Sequence, residues 1–138
     1  MTRVAILAAA ALLTACGSRA DPSPEAVARA WSAALNRSDD GAAAKLFAPR
    51  AAVVQNGELV LRTRSDAVRW NASLPCGGRV TRVLEQHEDQ VLVVFRLKER
   101  PGHRCDAPGL DAAAIFRVEH GKIVFWQQTN VPAPAPAI

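Results

Sequence analysis

Three cysteines, three histidines and 13 acidic residues are the groups of this 138-residue chain that could do nucleophilic, metal or acid–base chemistry. Cys76 and Cys105 stand 29 positions apart, and His103 lies between them in sequence. A metal site built on these three lacks the usual spacing, because His103-Arg104-Cys105 leaves one residue between ligands, and no fourth ligand is evident. Joined as a disulfide, the two cysteines would close a loop worth about 3.6 kcal/mol of chain entropy. His87, His103 and His120 fall at turns or loops, where a histidine is ordinarily solvated. No serine stands in a G-x-S-x-G elbow. Asp39, Asp40, Asp66 and Asp111 read as helix caps or strand edges. Arg62, Arg64 and Arg69 read as a solvated face. The chain has no tyrosine, and therefore no phenolic donor, beside three tryptophans and four phenylalanines.

The remaining cysteine, Cys16, closes the leader. Arg3 supplies a positive charge, and Val4 to Leu13 is an unbroken apolar run. Ten residues are too few to span a bilayer, which takes about 20, but they suit a secretory signal. The run ends Leu13-Thr14-Ala15-Cys16, which resembles the bacterial lipobox. That resemblance implies cleavage after Ala15, a diacylglyceryl group (with palmitate) on the Cys16 thiol, and a membrane partner in the cell envelope. Two acyl chains give stable anchoring where one is marginal. Export makes pairing of Cys76 with Cys105 the default. Loss of residues 1–15 removes Arg3 and lowers the net charge from +4 to +3. Those charges are scattered, with no basic block for a nucleic acid.

The elements that must position these groups fit one domain. At 49% hydrophobic and 22% charged, the composition excludes a disordered, collagen-like or coiled-coil chain. Residues 16–22 form a tether. Ser23 and Pro24 start a first helix, with Val27, Trp31, Ala34 and Leu35 at helical spacing. A second helix is expected over about Asp40 to Phe47, ended by Pro49. Ala51 to Val54 and Glu58 to Leu61 flank Asn56-Gly57, a hairpin signal. Ser65 or Thr63 caps a third helix, about Asp66 to Leu74, which Pro75-Cys76-Gly77-Gly78 stops. Four strands follow: Arg79 to His87, a run with alternating Val91, Val93, Phe95 and Leu97, then Ala112 to Glu119 and Lys122 to Thr129. Residues 132–138 are a Pro/Ala-rich tail, expected not to pack. The order predicts an α+β, cone-shaped fold of three helices packed on a curved, mainly antiparallel sheet, with a domain over residues 23–131.

Three stretches resemble the nuclear transport factor 2-like superfamily, which includes ketosteroid isomerases and SnoaL-like polyketide cyclases. They are Trp31 to Asp39 with Lys45 to Pro49, Arg64 to Leu74, and Ala114 to Trp126. The isomerases use a tyrosine on the first helix, an aspartate base on the following strand and a protonated aspartate on the penultimate strand. The matching positions here are Trp31, Gln55 and Ala114, none of which can move a proton. The resemblance therefore implies the scaffold without the isomerase chemistry, and no cofactor.

If the last strand keeps the family's orientation, Val124, Trp126, Gln128 and Asn130 share its concave face. With Trp31, Gln55, Trp70 and Ala114 they are the ligand-pocket candidates, an aromatic site with amides suited to a small apolar molecule. Trp31 and Trp70, large aromatics at helical spacing, read first as core that fills the cone. Three functions remain open. The first is a non-enzymatic, lipid-anchored binder of a small apolar ligand. The second is a structural module assisting an envelope partner, homodimeric through the outer sheet face. The third is a hydrolase or cyclase with another residue set.

Overall fold

The computed structural model describes residues 20–134, so Cys16, the leader and the last four residues lie outside the described residues. The first helix, α1 (Pro24–Asn36), begins where Ser23 Oγ accepts the Ala26 N–H at 3.1 Å and Pro24 supplies a preset φ. Its buried stripe is Val27, Ala28, Trp31, Ala34 and Leu35. Ser38, at φ 55°, turns the chain, and Asp39 caps α2 (Asp40–Ala44) through the Ala42 N–H.

The second helix is shorter than the sequence suggests. Phe47 to Arg50 belong to the strand β1 (Phe47–Val54), where Phe47 pairs with Ile123 and sets its ring 5.6 Å from that of Trp70. Burying that ring outweighs one more turn of a five-residue helix. Pro49 does not end a helix. It sits with Arg50, at φ 64°, in the irregular stretch between Phe47 and Ala52, where a missing N–H costs no ladder bond. Asn56 and Gly57 then turn β1 into β2 (Glu58–Leu61), with Val54 and Glu58 as the last pair.

Thr63, not Ser65, caps α3 (Arg64–Ser73) in a reciprocal box with Asp66. The Arg69 guanidinium, 2.7 Å from Asp66, holds that carboxyl below the usual aspartate value, and the Thr63 and Arg62 N–H groups add to this against some desolvation. The strand β3 (Gly77–His87) starts two residues earlier than expected, on the glycines themselves. Asn36 explains this: its side chain donates to Gly78 O at 2.9 Å and accepts from Gly78 N at 2.8 Å, pinning α1 to the strand. A Cβ at Gly77 would collide with Asn36 Oδ1.

Strands β4 (Gln90–Lys98), β5 (Asp111–Glu119) and β6 (Lys122–Thr129) complete a six-stranded sheet in the order β2-β1-β6-β5-β4-β3. All pairs are antiparallel except β1 with β6. His120 and Gly121, both at positive φ, make the tight turn into β6. The core lies between helices and concave face and holds all three tryptophans with Phe47, Phe95 and Phe116.

The tail also departs from expectation. Arg82 on β3 donates to the carbonyls of Pro132 and Ala133. Arg82, Val94, Ala113 and Thr129 form one row of register partners. The chain leaving Thr129 therefore crosses that row on the convex face, where Val94 and Ala113 are buried beside Leu92.

Candidate functional site

The sheet and helices leave a cavity of about 330 Å³ at one end of the cone. That end is where β1 and β6 finish, β3 and β5 begin, and α3 hands over to Pro75-Cys76. The wall is Trp31 and Leu35 from α1, Phe95 from β4, Ala112 and Ala114 from β5, and Trp126 from β6. Gln55 and Gln128, both exposed, bring amides to the rim. Gln128 is the register partner of Ala114, so the two face the cavity together.

Trp31, Gln55, Ala114, Trp126 and Gln128 thus share the cavity, whereas Trp70, Val124 and Asn130 do not line it. Trp70 packs behind the wall, stacked on Trp31 at 6.5 Å and edge-on to Trp126 at 4.9 Å. It is core, because α3 sets it toward Phe47 rather than toward the open end. Val124 is displaced by a bulge opposite Arg117 and Val118. Ile123 and Trp126 are both buried in the core, which strict alternation forbids, so one extra residue resets the parity between them. Phe125 turns outward, its ring 5.4 Å from the Arg117 guanidinium. Asn130 lies one residue beyond the end of β6 and is exposed.

The Trp31 donor is already committed. Nε1 donates to Asn71 Oδ1 at 2.8 Å, and Asn71 Nδ2 donates to Ala67 O at 2.8 Å. Asn71 is fully buried. Its signal was readable, since Ala67, Asn71 and Leu74 fall on one face at helical spacing. The Trp126 Nε1 is buried with no acceptor among the described residues.

Cys76 and Cys105 are joined as a disulfide, with Cα atoms 4.4 Å apart. Asp106 Oδ1 lies 3.5 Å from Cys76 Sγ, and the three residues cluster tightly. Sulfurs bonded to each other are not thiolates, so the cluster is not a thiolate metal site. His103 turns away, toward the carbonyls of Ala72 and Pro101. Among the described residues, Asp106 is the one lining residue with a carboxyl group. The acids singled out from the sequence are engaged elsewhere: Asp39 and Asp66 cap helices, Asp40 pairs with Arg100, and Asp111 pairs with Arg96 at 2.6 Å.

The loop between β4 and β5 is held over the end of α3 by a residue that sequence reasoning missed. The Arg100 side chain is wholly buried and pairs with Asp40 at 2.7 Å. It also donates to Ser38 Oγ and to the carbonyls of Asn71 and Leu74. One guanidinium thereby ties the α1–α2 turn, the start of α2 and the end of α3 to the loop that carries Cys105 and Asp106. No local pattern marks it.

Solved structures share this architecture. A candidate polyketide cyclase from Sinorhizobium meliloti is similar at TM-score 0.60 and 18% identity, over 75% of this chain and 93% of its own. A nuclear transport factor 2-like protein from Cytophaga hutchinsonii is similar at TM-score 0.64 and 12% identity, over 81% and 93%. A candidate ketosteroid isomerase from Kribbella flavida is similar at TM-score 0.59 and 21% identity, over 81% and 82%. At such identities the likeness shows the fold alone. No curated protein matches the chain. The SnoaL-like domain matches residues 28–126, from the buried face of α1 to the cavity tryptophan of β6. With the cone fold and its cavity, that match makes this chain a member of the SnoaL-like domain family.

Proposed function

We propose that this protein is a lipid-anchored protein of the bacterial cell envelope whose cone binds a small, mainly apolar molecule without transforming it. The observation that carries the reading is the cavity. Its volume of about 330 Å³ is sufficient for a small ligand, and its wall is aromatic and aliphatic with amides at the rim. The proton-transfer positions of the isomerases correspond to an indole whose N–H is spent, an amide and a methyl group. Anchoring rests on Leu13-Thr14-Ala15-Cys16. Pro22 packs against Gly121 at the β5–β6 turn, and Asp21 lies 3.8 Å from His120. The cavity opens at the other ends of β5 and β6, about 27 Å away at the rise of a strand. Asp21 and Pro22 thus stand at the end opposite the mouth, which suits capture from the aqueous side by a chain anchored upstream.

The test is native mass spectrometry of the full chain taken from membranes, with tryptophan-fluorescence titration of neutral probes such as indole and butylbenzene. Saturable binding that Ala114→Trp abolishes is expected. No bound mass and no saturable change would refute the reading. Cys16→Ala should move the protein out of the membrane fraction, and unchanged membrane recovery would refute the anchor. A second reading, an interaction module, is favoured by the apolar convex face, where Leu84 stays 37% exposed beside Leu92. Sedimentation would show a dimer that Leu84→Glu dissociates.

A further inference from the structure

We propose that the molecule this cavity selects is a small organic cation, an alkylammonium or quaternary ammonium. The proposal rests on the cavity being a binding site and adds the charge of what it binds. An anion or a strong acceptor would need accessible hydrogen-bond donors, and those of Trp31, Ser32 and Gly78 are committed, while the unpartnered Trp126 Nε1 is buried. Ser32 Oγ donates to Gly78 O at 2.8 Å, and Trp31 Nε1 to Asn71 at 2.8 Å. The Gly78 N–H is taken by Asn36 Oδ1 at 2.8 Å. Trp126 Nε1 is sealed from solvent contact. The Gln55 and Gln128 amides donate and accept alike, so they do not discriminate by charge.

Among the described residues no arginine, lysine or histidine lines the cavity. Arg100 runs just behind Gly77, but its guanidinium is turned to Asp40 and the α3 carbonyls. Among the described residues the single formal charge of the lining is negative, the Asp106 carboxylate 3.5 Å from the Cys76 sulfur. The rest is largely hydrocarbon and the rings of Trp31, Phe95 and Trp126, whose quadrupoles attract cations. A carboxylate at the rim and rings within complement a charge carried among methyl groups, which is cheap to desolvate. On a chain of net charge +4, a cavity without a basic residue runs against the whole-molecule charge. A local rather than a global attraction must then favour the cation.

The experiment titrates the full chain with choline, with its neutral isostere 3,3-dimethylbutan-1-ol, and with butyrate, by tryptophan fluorescence and calorimetry. Choline should bind about tenfold or more tightly than the alcohol, and butyrate more weakly than either. Added salt should shrink the preference. Asp106→Asn, at an exposed position, should weaken choline by about threefold or more and leave the alcohol unchanged. Equal binding of choline and alcohol overturns the cation proposal and leaves the cavity a binding site. Tighter binding of butyrate also overturns it. Binding of none of the three, or of indole and butylbenzene, overturns both readings together.

Discussion

Replacing Arg100 by methionine removes a wholly buried guanidinium and keeps a similar length of side chain. Four partners lose their donor: Asp40 at 2.7 Å, Ser38 at 3.1 Å, and the carbonyls of Asn71 at 3.1 Å and Leu74 at 3.2 Å. Breaking a buried ion pair by deleting one partner typically costs about 3–5 kcal/mol. Asp40 keeps 21% of its side chain exposed, so water recovers part of its solvation. The low end of the range, about 3 kcal/mol, is therefore expected for Arg100→Met. At roughly 4 °C per kcal/mol for a domain of this size, the melting temperature should fall by about 12 °C. Urea denaturation followed by circular dichroism, with the disulfide intact, measures the loss directly. Arg100→Lys can still meet Asp40 but cannot span both carbonyls, so an intermediate loss is expected. Asp40→Asn in the Arg100→Met background should cost less than it does alone, with a coupling of about 1–2 kcal/mol. A loss below about 1 kcal/mol for Arg100→Met, with no coupling to Asp40, would refute the reasoning.

Asn71→Leu strands the Trp31 indole N–H in the core and should cost about 1–3 kcal/mol, read from the urea midpoint; an unchanged midpoint would show the bond idle. Reduction of Cys76–Cys105 should lower stability by about 2–4 kcal/mol, and equal midpoints with and without reductant would contradict this. Asp66 has a depressed folded value, so its contribution is full above the ordinary aspartate range and is lost as the pH falls through the folded value. Asp66→Asn should flatten that part of the acid limb; a chemical-shift titration placing Asp66 at or above the ordinary value would count against it.

Much of the fold was legible because its signals are local. The Ser23-Pro24 start, a cap at Thr63 or Ser65, the Asn56-Gly57 turn and the period-two strands each depend on residues a few positions apart. The shared mouth of Trp31, Gln55 and Ala114 was reached through a family resemblance rather than through periodicity. The departures at Phe47 and Val124 have one kind of cause. Phe47 left the helix for a strand because Trp70 and Ile123 bury it, and both are remote in sequence. Strict alternation assigned Val124 to the cavity, and a bulge set by the partner strand moved it out. Asn71 was passed over although helical spacing put it on the apolar face.

By itself the sequence determined where most helices and strands lie, that Cys76 and Cys105 are available to pair, and that the chain has no tyrosine. Residue identity and short-range periodicity carry those facts. Tertiary structure alone decided that the tryptophans leave a cavity instead of filling the cone, with Trp70 behind the wall and Trp31 and Trp126 in it. It also decided that Arg100, whose partners lie 26 to 62 positions away, braces the mouth, and that Asp106 supplies the lining's one charge. Such facts depend on how separate elements meet in space, and no spacing along the chain encodes the distance between them.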